Sequence, residues 1–537
     1  MTRLAEWAML SHGWRRFLML VVAGAVAALS IPPFFILPAL FVTVPFWVWA
    51  LDGAERRTGL GRIFGPAFAI GFAFGWGYFI VAFHWLGAAF LLEGGLYLIP
   101  MPFAILALAA LIAVFWGLAS SLAHLCWSHG AWRIVTLAAC LGAAEYARGT
   151  LFSGFPFDLL GYSLTANTEM MQLASVVGVY GLTLLAALLA MTPALIWPAD
   201  GRSLIVRLVP LFLAVAAIAA QVGYGSWRIH AVSVADRTDM KVRMVQPLVT
   251  EHSDWAAANP PQIVGRLIDL SSAKTGPSDP GLADKTQLIW PESVFPFFMS
   301  QYPEGLARIA RMLPDKTTLL TGAPREPEGD PSDPANDNPG YNSLLAVDSN
   351  GEIVASYDKS HLVPFGEYLP FASFWKTFGI KQFVPGTNGW APGDGKRLMT
   401  APGTPAFIAL ICYEAIFSGD LGADPAKAEF LLNISNDEWF DGSIGPAQHA
   451  HHALLRAVET GLPLLRVTNS GITFAADPLG RVTDQLPPYQ PGVLDVVPKQ
   501  KIAETPFDRF GNWPFLGVVL LGISLGVLTR TRRPRRI

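Results

Sequence analysis

Phe407-Ile408-Ala409-Leu410-Ile411-Cys412-Tyr413-Glu414 is an apolar run that stops at a thiol and a carboxylate. A short apolar run of this kind reads as a buried strand. Strand ends in layered α/β folds are where reactive side chains gather. The other two cysteines, Cys126 and Cys140, lie in strongly apolar stretches of the N-terminal third. Cys412 therefore has no disulfide partner in its own part of the chain, and no CxxC or Cys/His spacing marks a zinc site. A lone thiol is most often a small buried hydrophobe, so its neighbours must decide.

Two further strand-like runs end on reactive groups. Glu292 follows Leu288-Ile289-Trp290-Pro291, and Lys359 follows Ile353-Val354-Ala355-Ser356-Tyr357-Asp358. A thiol is a poor nucleophile until deprotonated. Glu292 could take its proton as general base. Lys359 and the Tyr413 N–H could stabilise an oxyanion, leaving a thioester on Cys412. Other strand-like runs are Val242–Val245, Thr318–Gly322, Ser343–Val347, Phe430–Ile434 and Leu464–Thr468. Helical periodicity covers about 257–273, 303–313 and 446–461, and turn signals sit at Asp348-Ser349-Asn350-Gly351 and Asp477-Pro478-Leu479-Gly480. The alternation predicts a layered α/β or α+β domain over 230–505.

That domain is embedded in a hydrophobic chain. Of 537 residues 52% are hydrophobic and 15% charged, against about 25% charged in soluble domains. A span needs about 20 apolar residues. Seven such stretches precede residue 225, at 14–30, 33–51, 64–92, 98–125, 132–149, 172–196 and 204–223, and an eighth covers 513–529. Arg3, Arg15 and Arg16, then Arg56, Arg57 and Arg62, Arg133, Arg202 and Arg207, and the basic end Arg530 to Arg536 all fall on one side of this map. The positive-inside rule makes that side cytoplasmic. Both termini are then inside and 230–505 outside. Ile31-Pro32-Pro33 follows the first stretch without a small-residue cleavage site, so it reads as an anchor rather than a signal peptide. The expected organisation is 1–229 with seven helices, 230–505 catalytic, and 506–537 with the last helix and a basic tail. The net charge is −3, and no basic surface suggests nucleic acid.

Trp290-Pro291-Glu292-Ser293, the run from Tyr357-Asp358-Lys359-Ser360-His361 to Glu367, and Ile411-Cys412-Tyr413-Glu414 resemble the Glu-Lys-Cys motifs of the nitrilase superfamily. With membrane stretches on both sides, the chain resembles the bacterial apolipoprotein N-acyltransferase family, including Asn433 to Phe440 and Thr468 to Thr473. The resemblance implies an α-β-β-α sandwich joined to a multi-pass helical membrane domain of about eight spans. It implies acyl transfer from a phospholipid, typically phosphatidylethanolamine, through Cys412. The acceptor would be the α-amino group of the diacylglyceryl-cysteine of an apolipoprotein. No cofactor or metal is implied. Glu292, Lys359 and Cys412 take the catalytic positions, with Glu367, Tyr413, Glu414, Trp255 and Asn342 supporting or binding substrate. The order Phe440-Asp441-Gly442-Ser443 departs from the family pattern. The expected setting is the bacterial inner membrane, with the catalytic domain periplasmic and the protein monomeric among membrane lipids.

Blander readings stand beside these. Glu367 and Glu414 are loop carboxylates on their own, and Trp255 packs a loop as readily as it meets lipid. Phe295-Pro296-Phe297-Phe298, Phe365 to Phe371 and Trp439-Phe440 are expected to form a lipid entrance. His449, His451 and His452 could recruit zinc, but a polar helix face fits them better. His84, Glu93 and Glu145 are expected at span edges, with Arg148 and Asp158 outside the bilayer. A membrane-anchored amidase or hydrolase would use the same trio. A transporter would need inverted repeats or charges deep in its spans. The Gly71 to Gly77 stretch is the closest approach to an interrupted helix.

Overall fold

The computed structural model describes residues 1–128, 130–198, 201, 203–249, 259–274, 276–327, 340–371, 377, 389–422 and 425–530. Trp255, Arg202 and the basic tail beyond Thr531 fall outside these residues, as does the Glu93 side chain. The chain forms two compact units, one of 1–231 with 509–537 and the other of 232–508.

The first unit is helical. Five helices, Gly13–Ser30, Pro66–Leu92, Met101–Leu125, Ala174–Leu195 and Leu204–Ala231, are long and apolar enough to cross a membrane. Pro38–Asp52 and Trp513–Thr529 are apolar but shorter, at 15 and 17 residues. Trp132–Thr150 carries Glu145 and Arg148 on its buried side. Among the described residues five helices qualify by length and apolarity, so the expected count of about eight is not confirmed.

Close helix packing explains the glycine-rich stretch. A Cβ on Gly77 would lie 1.9 Å from the Val21 carbonyl oxygen. Pro66–Phe83 remains one continuous helix, so these glycines allow close approach rather than interrupting a span. Trp47 stacks on Phe74 and Trp116 at centroid distances of 4.9 and 5.3 Å.

Glu145 and Arg148 lie near the C-terminal end of helix Trp132–Thr150. Both are buried inside the unit and paired at 2.8 Å. Trp116 donates to Glu145 at 2.7 Å, and Arg148 donates to the carbonyls of Phe155 and Phe157. Asp158 is fully buried as well. Protein groups thus pair the Glu145 and Arg148 charges inside the unit. His84 is exposed, with its Nδ1 on the Val81 carbonyl.

The second unit holds twelve strands among the described residues: β1 Val242–Gln246, β2 Gln287–Trp290, β3 Thr318–Arg325, β4 Tyr341–Val347, β5 Ile353–Asp358, β6 Leu398–Ala401, β7 Thr404–Ile411, β8 Phe430–Ser435, β9 Leu464–Thr468, β10 Phe474–Ala476, β11 Val482–Gln485 and β12 Gly492–Val496. They form two six-stranded sheets, ordered β12-β1-β2-β3-β4-β5 and β11-β10-β9-β8-β7-β6. In each, three central strands are parallel: β1, β2 and β3 in one, β7, β8 and β9 in the other.

Burial on both faces explains the continuous apolar runs. Ile289 and Leu320 of the first sheet share a core with Ala409, Ile411 and Leu432 of the second. The alternate residues Leu288, Trp290 and Leu319 point outward, where Val264, Leu267 and Ile309 of helices Pro260–Ser272 and Pro303–Met312 cover them. Ile408, Leu410 and Leu431 are covered by Ala450, Ala453 and Ala457 of helix Gly445–Thr460. The layers are α-β-β-α.

Candidate active site

Strand β2 ends at the fully buried Trp290, and Pro291 turns the chain so that Glu292 lies 4% exposed. A Cβ on Gly322 of β3 would sit 2.5 Å from Glu292 Cα and 2.6 Å from the Pro291 carbonyl. Only glycine leaves room for this turn. Lys359 follows β5 and is 1% exposed, and its N–H donates to the Asn342 carbonyl at 2.9 Å. Cys412 follows β7 with φ +51°, on a one-turn 3-10 helix Cys412–Ile416. A left-handed non-glycine residue costs on the order of 1–3 kcal/mol and persists only where its surroundings hold it.

Four buried polar side chains converge. Glu292 Oε1 accepts from Asn342 Nδ2 at 2.8 Å and from Lys359 Nζ at 3.2 Å. Glu367 Oε1 accepts from the same two donors, each at 2.9 Å. The Asn436 N–H donates to Glu292 Oε2 and the Val363 N–H to Glu367 Oε2, both at 2.8 Å. Burial opposes the Lys359 charge, but Glu292 and Glu367 outweigh it and hold the ammonium's pKa well above its usual value. Burial raises the Cys412 thiol, Glu292 raises it further, and Lys359 pulls it back. Glu292 and Lys359 thus act on the thiol in opposite directions.

Glu414 ties two motifs together. Its Oε1 accepts from the Tyr357 hydroxyl at 2.8 Å, the Ser360 N–H at 2.9 Å and the Ser360 hydroxyl at 2.8 Å, while its Oε2 accepts the Ile411 N–H at 2.9 Å. The Tyr413 ring is buried edge-on against Phe417 at 5.2 Å. The structure thus brings together Glu292, Asn342, Lys359, Glu367, Cys412, Tyr413 and Glu414. Trp255 lies outside the described residues.

The reading of the histidines changes. His449 and His452 are buried, not on a solvated face. His449 Nε2 lies 3.0 Å from the Cys412 carbonyl and Nδ1 lies 3.0 Å from Asp437 Oδ1. Arg466 Nη2 donates to Asp437 Oδ2 at 2.7 Å, and Ser435 to Oδ1 at 2.8 Å. Burial raises the Asp437 carboxyl, but Arg466 and His449 dominate and bring it well below the usual range. Sequence reading weighed His449 only as a zinc ligand or part of a polar helix face, and it missed the contacts of Asp437 and Arg466 with it. The polar spots they make in otherwise apolar elements were the available signal. Among the described residues, no group of three or more His, Cys, Asp or Glu could hold a metal.

The aromatic loops divide. Phe295 is fully buried and packs on Trp290 and Phe297, so it belongs to the core rather than an entrance. Phe297 packs against the same core. Phe365 and Phe371 are exposed at 36% and 75%, both with left-handed φ.

Residues 23–192 match the model of the apolipoprotein N-acyltransferase N-terminal domain, and residues 288–506 match that of carbon-nitrogen hydrolases. A protein of Rhodopseudomonas palustris, named apolipoprotein N-acyltransferase, is 37% identical over 99% of this chain and 98% of its own. One of the same name from Agrobacterium fabrum is 39% identical over 92% of each chain. The full-length identity and the two domain matches agree with the helical unit, the sandwich and the buried cluster, and the chain belongs to the membrane-embedded apolipoprotein N-acyltransferase family of enzymes.

Proposed function

We propose that this enzyme moves an acyl chain from a phospholipid, phosphatidylethanolamine in the first instance, to Cys412. The chain then passes to the α-amino group of a diacylglyceryl-cysteine at the N-terminus of an apolipoprotein. Glu292 takes the thiol proton, and the sulfur attacks the ester carbonyl. Lys359 and the Tyr413 N–H meet the oxyanion. The ester C–O bond breaks, and Glu292 returns the proton to the departing lysophospholipid alkoxide, leaving a thioester. The amine of the acceptor then attacks. Glu292 takes a proton from it, the C–S bond breaks, and the sulfur regains its proton as the amide leaves.

The observation that carries this reading is the buried Glu292–Asn342–Lys359–Glu367 cluster beside Cys412, in a chain with five helices long and apolar enough to cross a membrane among its described residues. Drawing a sixteen-carbon chain into water costs on the order of 12 kcal/mol at roughly 0.8 kcal/mol per methylene. An enzyme for such substrates gains from being anchored where the lipids are. The arginines flanking the spans support cytoplasmic termini and a catalytic unit on the periplasmic side of the inner membrane. The protein acts as a monomer.

The test incubates full-length protein in detergent with phosphatidylethanolamine and a synthetic diacylglyceryl-cysteine peptide. Equal amounts of N-acylated peptide and lysophospholipid are expected. Release of free fatty acid with no acylated peptide would show hydrolysis and overturn the proposal.

A further inference from the structure

Behind Cys412, the chain Arg466–Asp437–His449 looks like the acid and base of a Cys-His-Asp catalytic array, but its geometry is different. His449 Nε2 addresses the main-chain carbonyl of Cys412 at 3.0 Å. A carbonyl only accepts, so Nε2 carries the hydrogen and cannot receive the thiol's proton. Nδ1 is turned to Asp437 at 3.0 Å, with Arg466 Nη2 3.3 Å away. Asp437 is in turn fixed by Arg466 and Ser435, and Arg466 also donates to Asn433. Asn433 Nδ2 donates to the Leu410 carbonyl at 2.8 Å, two residues before the nucleophile. The network therefore grips β7 at Leu410 and again at Cys412. None of its members lies on β7, the strand that leads to the thiol: Asn433 and Ser435 are on β8, Asp437 follows β8, Arg466 is on β9, and His449 is on helix Gly445–Thr460.

We infer that His449 is a positioning residue, whose Nε2–H holds the left-handed main chain of Cys412 so that its sulfur stays with Glu292 and Lys359. The strained φ of +51° at Cys412 needs such a restraint. Carbonyl O and sulfur belong to the same residue, so a lost hydrogen bond at one displaces the other. The groups facing His449 are Asp437 and Arg466, and those facing the thiol are Glu292, Lys359 and Asp437.

Two variants separate this role from others. Gln places its amide nitrogen where Nε2 stands and can still donate to the Cys412 carbonyl. Asn matches Nδ1 and can still meet Asp437 but is too short for the carbonyl. The inference rests on Cys412 as the acyl carrier, so the assay has two readouts on full-length protein. One is single-turnover acylation by phosphatidylethanolamine. The other is alkylation of the Cys412 peptide by iodoacetamide across pH, which needs no lipid.

His449→Asn is expected to slow both by about 100-fold, the effect of an ångström-scale misplacement, with the half-saturating lipid concentration unchanged. His449→Gln is expected to stay within about threefold of wild type, with the same pH midpoint. Wild-type rates in folded His449→Asn would overturn the inference. So would a folded His449→Gln as slow as Asn with its pH midpoint raised, because His449 would then act as the base. Should His449→Asn fail to fold, His449→Gln decides alone: rates within about threefold of wild type with the same pH midpoint support the inference, and a loss of about 100-fold overturns it. If wild type alkylates at Cys412 but takes no acyl group from lipid, the acyl-carrier reading fails while the alkylation arm still judges His449.

Discussion

Glu414 Oε1 accepts the main-chain N–H of Ser360 at 2.9 Å across 54 residues of sequence. The residue two after the nucleophile thus fixes the residue after the lysine, so the thiol and the ammonium are set by one carboxylate. Glu414→Gln places an amide among donors that need an acceptor, and a buried mismatch costs about 1–3 kcal/mol. The variant is expected to fold, with kcat down about 10- to 100-fold and KM nearly unchanged. Steady-state kinetics with the lipopeptide acceptor check this.

The thiol's proton affinity should follow its neighbours. Burial comes first, then Glu292 raises it and Lys359 lowers it. Alkylation of wild-type Cys412 should therefore have its midpoint above the ordinary thiol value of about 8.5. Glu292→Gln should move that midpoint down and Lys359→Met should move it up, although both should lose at least about 100-fold in acyl transfer. Peptide-resolved alkylation rates across pH give the signs directly.

Gly322 is set by the backbone of the acid. Gly322→Ala puts a Cβ 2.5 Å from Glu292 Cα, and forced overpacking costs about 1–3 kcal/mol. A lowered unfolding temperature is expected together with a loss of activity larger than the loss of folded protein. Thermal unfolding and turnover measured on one preparation check both.

Asp441 offers a pH test. Burial is the first cause that raises its carboxyl, which stands at about 7 against an ordinary 3.8, while Ser470 donates to it at 3.0 Å. The folded state binds this proton more tightly than the unfolded state does. The resulting stability is present below the unfolded value and is lost as the pH rises towards about 7. Asp441→Asn lacks this penalty. Its unfolding temperature relative to wild type should be higher at pH 8 than at pH 4, and an equal difference at both would contradict the assignment.

Much of this was legible in the sequence because sheet strands buried on both faces are written as unbroken apolar runs, such as Phe407–Ile411 and Leu288–Trp290. Each run stops where a reactive side chain begins. What the sequence hides is which way a polar side chain on a helix points. His449 and His452 read as part of a polar helix face, yet both are buried, and Asp437 and Arg466 meet His449 in the interior. The partners of Glu145 and Arg148 were equally hidden, since besides each other they come from Trp116 and from the Phe155 and Phe157 carbonyls. Phe295 reads as an exposed aromatic because it sits in a loop, but it closes the core over Trp290.

The most direct test of Cys412 as the acyl carrier is the intact mass of the purified full-length protein after incubation with phosphatidylethanolamine. Wild type should gain one acyl mass that hydroxylamine removes and the diacylglyceryl-cysteine peptide discharges, while Cys412→Ala gains nothing. An adduct of equal yield on Cys412→Ala, or N-acylated peptide made by that variant, would contradict the account.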